Sequence, residues 1–382
     1  MNLERALREA PVPGEGQARE RARRTVLAAH ADAPRRTRPR AAGVIAAIVL
    51  AAAGAGALTR PGQAVGEWVQ HQLEIAKPAK PKPAPAPAPK RQRGLDLPAP
   101  GRLLVASDRG LWIVAGDGAR TRLGGWTSGS WSPHAKHIVV ASGRTVAAIR
   151  PDGTVRWRHT LAAAVHDPRW SPNGYHVAYR AGARMHVIWG NGIHDATLPG
   201  RAGNAAPAWQ PNQPRTLAWA RADGTVIVQD AYTGLVIWRR QGGPVRRLSW
   251  SADGTRLLIA GARHGAEYAI GGAAARRSAR RLRLRPGETL AAAAFAPTGK
   301  RLALAVTSRG VTRITLRGGK AALAERAEPL RSLTWSPDGR WLVAGWNSGT
   351  AYLIGTRTTD VRSLDDVPRR LGGGVKTLGW CC

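Results

Sequence analysis

From about residue 100 onward, apolar residues come in runs of four to six, separated by polar breaks. RLLIAG (256–261), HVAYRA (176–181) and RLALAV (301–306) are such runs, and TVIVQD (225–230) and AYLIGT (351–356) each follow a polar break. Runs of this length, bounded by Gly, Asp, Asn and Ser, predict strands rather than helices. A further short strand stands ahead of each pair and ends in an aromatic residue, as in VRRLSW (245–250) and LRSLTW (330–335). A corner follows it, such as Ser336-Pro337-Asp338-Gly339. Pro presets φ for the first turn position, and Asp or Asn with Gly accepts the tight geometry after it. A fourth strand, more polar and edge-like, completes each unit.

The unit recurs. Trp131-Ser132-Pro133-His134, Trp170-Ser171-Pro172-Asn173-Gly174 and Trp209-Gln210-Pro211-Asn212 are followed by Trp250-Ser251-Ala252-Asp253-Gly254, Phe295-Ala296-Pro297-Thr298-Gly299 and the corner after Trp335. The spacings are 39, 39, 41, 45 and 40 residues, and the one Phe of the chain stands in a Trp place. A period of about 40 to 45 with several short strands per unit predicts a β-propeller. Near the end, 375–380 gives one more first strand, closing on Trp380, with no corner after it. At the other side, 102–107, 111–116 and 121–125 give three strands that lack a first. Joined, they make one blade, so the expectation is an all-β, seven-bladed propeller closed by its two ends, with six or eight blades as alternatives. Closure in this way leaves no unpaired terminal blade edge.

WSPDGRWLVAG (335–345) and WSPNGYHVAYR (170–180) resemble the WD40-like (PD40) repeats of TolB-type propellers, over about residues 100 to 382. The Gly-His and Trp-Asp pairs of WD40 repeats are not in register. Asp230 to Trp238 also resembles the DxxTGxxxW repeat of quinoprotein propellers. That likeness would imply a quinone, a calcium site built from carboxylates and a catalytic Asp, but carboxylates are few and unclustered. Neither GxSxG, HExxH nor a GxxxxGK[ST] loop is present. Lone histidines such as His166 and His176 are expected to be structural or surface groups. The expectation is a non-enzyme with no cofactor, no metal and no catalytic residues.

Residues 41–58, AAGVIAAIVLAAAGAGAL, carry no charge, and about 17 apolar residues is the lower limit for a spanning helix. Seven Arg lie in the twenty residues before the run, against Arg60 and Lys77 in the twenty after it. The positive-inside rule then predicts a cytoplasmic segment 1–40, a transmembrane helix 41–59, and everything beyond it outside. Residues 60–99 follow as a juxtamembrane helix, with Trp68 at headgroup level, and a stalk. Alternating Pro in 77–93 favours extended polyproline II of roughly 50 Å. The layout resembles membrane-anchored PD40 proteins of GC-rich bacteria.

Charge narrows the partners. The 382 residues carry a formal +34, with Arg far outnumbering Lys, which favours anionic polymers and surfaces over cationic ones. Arg276, Arg277, Arg280, Arg281, Arg283 and Arg285 fall within ten residues of the longest interval between the six corners. Alternation points Arg281, Arg283 and Arg285 to one face and Leu282 and Leu284 to the other. Such a row can grip phosphates or carboxylates, or simply guard a sheet edge. The two cysteines, Cys381 and Cys382, are adjacent and cannot staple the body.

Together these features predict a membrane-anchored, extracytoplasmic propeller that binds an envelope protein or an anionic wall polymer, with nucleic acid disfavoured by location. A transmembrane sensor signalling through residues 1–40 is the alternative, and a quinoprotein-like enzyme a second one.

Overall fold

The computed structural model describes residues 97–270, 279–319, 321–358, 360–363 and 370–381. The predicted cytoplasmic segment, transmembrane helix, juxtamembrane helix and the Pro-rich 77–93 lie outside them, as do Arg276, Arg277 and Cys382, whereas 97–99 at the end of the predicted stalk region are described. Among the described residues no helix is long and apolar enough to cross a membrane.

The described residues form seven antiparallel sheets of four strands. Blade 1 contains β1 (Arg102–Ser107), β2 (Gly110–Ala115) and β3 (Arg120–Gly124), with β28 (Lys376–Cys381) as its first strand. Blade 2 is β4 (Ser128–Trp131), β5 (Ile138–Ser142), β6 (Thr145–Ile149) and β7 (Val155–Thr160). Blade 3 is β8 (Val165–Trp170), β9 (His176–Ala181), β10 (Arg184–Trp189) and β11 (Ala196–Thr197). Blade 4 is β12 (Ala208–Gln210), β13 (Gln213–Ala220), β14 (Val226–Asp230) and β15 (Val236–Arg240). Blade 5 is β16 (Arg247–Trp250), β17 (Arg256–Ala260), β18 (Gly265–Ala269) and β19 (Arg280–Arg281). Blade 6 is β20 (Thr289–Phe295), β21 (Leu302–Ser308), β22 (Val311–Leu316) and β23 (Ala324–Arg326). Blade 7 is β24 (Leu330–Trp335), β25 (Trp341–Trp346), β26 (Ala351–Gly355) and β27 (Val361–Ser363). The first strands neighbour one another in the closed order β28–β4–β8–β12–β16–β20–β24 and back to β28. The expected closure is present: β28 pairs with β1 from Arg102↔Cys381 to Ala106↔Lys376.

The continuous apolar runs now have a cause. A blade is covered on both faces, so its second strand needs apolar side chains at every position rather than at every other one. In β5, Ile138 and Val140 pack with Leu104 and Ile113 of blade 1, whereas Val139 and Ala141 pack with Val177 and Tyr179 of blade 3. Packing begins at Leu97 and Ala99, which are buried with Leu371, Val375 and Trp380.

The aromatic near the end of each first strand packs its blade against the one before; three also bond across the junction, whereas the buried indole nitrogens of Trp131, Trp170 and Trp380 have no hydrogen-bond partner among the described residues. The indole N–H of Trp209 donates to Arg169 O, that of Trp250 to Ala208 O and that of Trp335 to Ala294 O, each at 3.0 Å. In all three the acceptor is the residue just before the preceding blade's aromatic. The Ser of the corner closes it from within: His176 N, Arg256 N and Trp341 N donate to Ser171, Ser251 and Ser336 Oγ at 2.9–3.0 Å. Gly339 takes φ +66°, and a Cβ there would lie 2.8 Å from Thr298 Oγ1 of the neighbouring corner, so Gly is required twice over. The first corner departs from this pattern, with Ala135 in the left-handed region at φ 51°.

Candidate functional site

In an antiparallel four-stranded blade, the corner between strands one and two and the turn between strands three and four share one end. That corner face carries a cleft of about 680 Å³ across blades 2 to 4. The β4–β5 corner supplies Pro133, Lys136 and His137. The β8–β9 corner supplies Asn173, Tyr175 and His176, and the end of β10 supplies Trp189 and Gly190. Arg156 of β7, Arg215 of β13 and Tyr232 after β14 complete it. Trp170 forms part of the wall, and Gly190 lets the backbone lie against it, since a Cβ there would meet the Trp170 ring at 2.8 Å. Trp157 fixes that turn by donating its indole N–H to Gly190 O at 2.9 Å.

The cleft is aromatic and cationic. Tyr175 and Tyr232 are 71% and 62% exposed, far more than an aromatic ring needs for packing alone. The Arg215 guanidinium lies 4.9 Å from the Tyr232 ring centre and 3.3 Å from Asp230 Oδ2, so Asp230 is already paired. Among the described residues no carboxylate lines it. Arg156 Nη1 sits 3.2 Å from His137 Nε2. Burial, then the charges of Arg156, Arg150 and Lys136, hold the His137 imidazole below its ordinary value. Burial and then Arg215 lower His176, with Asp230 opposing them, and its buried Nδ1 has no hydrogen-bond partner. Both rings are therefore harder to protonate than a free imidazole.

Read from sequence, His176 is a structural or surface group; in the fold it lines this cleft. The cleft escapes sequence reading because it joins residues from three successive repeats. One signal existed: His134-Ala135, followed by Lys136, stands where the corners after Trp250 and Trp335 have Asp-Gly.

Of the predicted Arg row, Arg280 and Arg281 form β19, the outer strand of blade 5, opposite Glu267 and Ala266 of β18. Alternation holds through the segment: Leu282 is buried, Leu284 half-buried, and Arg281, Arg283 and Arg285 are exposed. Glu267 is buried and taken by Arg256, at 3.3 Å, and Arg317 of blade 6. The repeat aromatics Trp131, Trp170, Trp250, Phe295 and Trp335 end their first strands, and Trp209 and Trp380 stand one residue before the end; six of the seven are buried and Trp131 is half-buried. The Asp230–Trp238 stretch is the turn from β14 into β15: Asp230 Oδ1 accepts from Tyr232 N and Thr233 N, both at 2.8 Å. Among the described residues no three His, Cys, Asp or Glu converge as a metal site.

The family model "WD domain, G-beta repeat" (WD40) matches residues 323–354, which run from β23 of blade 6 through the first three strands of blade 7. The sequence repeat is thus offset from the blade by one strand. No curated protein matches the chain. Among solved structures, the β-propeller domain of Cps50 (Swd1) from Myceliophteria thermophila is similar, with a TM-score of 0.56 at 16% identity, over 70% of this chain and 100% of that one. What these likenesses share with the chain is its fold, a WD40-like β-propeller of seven blades.

Proposed function

We propose that the chain is a protein-docking scaffold whose corner-face cleft receives an acidic segment carrying one aromatic or aliphatic anchor residue. The cleft itself carries this reading: exposed tyrosines beside Trp170 and Trp189, rimmed by Lys136, Arg156 and Arg215, with no carboxylate in the lining. Its volume is in the range of sites that bury most of a ligand, and Trp, Tyr and Arg are the side chains that dominate binding energy at interfaces. Peptides selected on the full-length chain from a random displayed library are expected to be enriched in Asp and Glu around an aromatic residue. Lys136→Glu with Arg156→Glu is expected to weaken them at least about tenfold.

The sign of the pH dependence follows from the histidines. A bound carboxylate beside His137 and His176 favours their charged forms, which burial and then Arg156, Arg150, Lys136 and Arg215 disfavour in the free protein. Binding therefore takes up protons, and affinity rises as pH falls through the bound-state titration of these rings toward their lowered free-state one. His137→Gln with His176→Gln flattens that slope. Selected peptides with no acidic bias, or an affinity unmoved by the charge reversals, overturn the reading.

The finer proposal is that this scaffold stands outside a membrane, tethered by residues 41–59 and spaced by the Pro-rich 77–93, with an envelope protein as the natural occupant. The uncharged run and its arginine asymmetry support it, and the Ser-Pro-Asp-Gly and Ser-Pro-Asn-Gly corners at 336–339 and 171–174 support a relation to PD40 propellers. In intact cells an N-terminal tag is expected to resist an impermeant label while a C-terminal tag reacts; the reverse pattern sinks the tether.

A further inference from the structure

The opposite face of the ring carries turns between second and third strands and connections from one blade to the next. Between blades 4 and 5 these form a groove of about 340 Å³. Its floor is apolar, with Val245, Ile259 and Leu282 buried. Its rim is basic: Arg240 at the end of β15, Arg263 and His264 on the β17–β18 turn, and Arg281 of β19, all exposed. Among the described residues no carboxylate lines it. Asp223, on the neighbouring turn, accepts from Thr225 N at 2.8 Å, and Glu267 is held by Arg256 and Arg317. A positive lining of that kind, without internal counter-charges, is a concentrated anion-attracting field.

Arg281 also lines a second groove, toward blade 6, together with Arg283 and Arg317. The segment from Arg280 to Arg285 is therefore a ridge between two grooves, with Arg281, Arg283 and Arg285 on its open side. Arg283 and Arg285 lie beyond the strand, on the connection to β20, and with Arg281 they present three exposed guanidinium forks within five residues, a density that suits a ligand with repeated phosphates.

We infer that this groove and ridge bind a linear, base-free phosphate polymer, of the polyphosphate or polyphosphodiester class. Single-stranded nucleic acid fits less well, because its binding relies on aromatic faces for stacked bases. The aromatic ring here, Tyr268, is already covered: the Arg240 guanidinium lies 4.6 Å from its centre and the Trp238 ring at 5.7 Å. The site is separate from the docking cleft, so the chain would hold a polymer on one face and a protein on the other.

Anisotropy titration of the full-length chain with labelled long-chain inorganic polyphosphate tests this. The probe is compared with single-stranded DNA of equal phosphate count. Arg240→Gln/Arg263→Gln/Arg281→Gln is expected to weaken polyphosphate about tenfold and to lower the slope of log affinity on log salt by about 2, at about 0.7 for each phosphate no longer neutralised. A control triple at exposed positions elsewhere, Arg184→Gln/Arg309→Gln/Arg331→Gln, removes the same charge and is expected to change affinity less than about threefold. Equal losses in both triples would reduce the effect to the overall field of a +34 chain and overturn the site. Tighter DNA binding through the same arginines overturns the ligand class, and orthophosphate competing as well as the polymer overturns the row. Should the groove triple unfold, Arg263→Gln, on an exposed turn, stands in with an expected loss of about threefold. Peptide docking on the corner face is expected to survive the groove triple, so failure here and failure of the docking cleft are separable.

Discussion

A chain cut after Gly374 is expected to lose cooperative folding. The deletion removes β28, the first strand of blade 1, which neighbours both β24 and β4 in the ring. Val375 and Trp380 are buried with Leu97, Leu103, Val343 and Leu371, and Leu378 packs on the cluster of Leu104 and Ile138 on the other side. Thr377 is buried as well, and its Oγ1 lies 3.0 Å from Thr334 Oγ1 of blade 7. Three apolar side chains at about 1.5–3 kcal/mol each, with about 1 kcal/mol per missing ladder bond, approach roughly 10 kcal/mol. That rivals the whole stability of an ordinary domain, about 5–15 kcal/mol. The deletion also leaves β1 as an uncovered inner edge open to pairing with other chains. Size-exclusion chromatography is expected to show aggregate in place of monomer, with no sigmoidal melt. A peptide of residues 375–382 added in trans is expected to recover part of the monomer. A truncated monomer with an unchanged melting temperature would mean that the ring does not depend on its closing strand.

This closure was legible in the residues alone because the two ends of the chain carry complementary fragments of one repeated unit. VKTLGW lacks a corner and RLLVAS lacks a preceding aromatic strand, and repetition elsewhere tells what each is missing. The Trp series was legible for the same reason. The outer strands were less so: β11 and β19 have two residues each, with polar or small side chains that carry little period.

The sites divide along the same line. Alternation in RLRLR predicts exposed arginines beside buried Leu282, and the fold shows that alternation. Nothing local in the sequence says that Arg240 and Arg263, well upstream of that segment, reach the same groove. The cleft is further still from local pattern, drawing on Lys136, Tyr175 and Arg215 from three repeats. A regular repeat specifies the ring, whereas departures from it mark where the ring is put to use. His134-Ala135-Lys136 is such a departure, and Ala135 takes a left-handed φ of 51° that Gly occupies in the corners at Gly174, Gly254 and Gly339, at a cost of about 1 kcal/mol.

Trp335→Ala is expected to lower the stability of the propeller by about 4 kcal/mol, and Trp335→Phe by only about 1 kcal/mol. The indole is 6% exposed and lies among Ala292, Ala296, Leu342, Ala344 and Ile354, which come from blades 6 and 7. Truncation to Ala therefore opens a cavity at a blade junction, where the ring geometry limits collapse. It also removes the N–H donated to Ala294 O at 3.0 Å and the ring face beneath Arg301, whose guanidinium sits 5.5 Å from its centre. Phe keeps most of the apolar area and loses the donor alone. The chain already contains that substitution in effect: Phe295 ends the first strand of blade 6 without an indole, and its backbone N–H instead donates to Ser249 Oγ at 3.3 Å. Urea denaturation of the three proteins measures the ordering directly, through midpoints compared at equal slope. Equal losses in the Phe and Ala variants would assign the junction to the hydrogen bond rather than to buried area. Losses below about 1 kcal/mol in both would place them within the spread of ordinary surface substitutions and remove the aromatic series as the lock between blades.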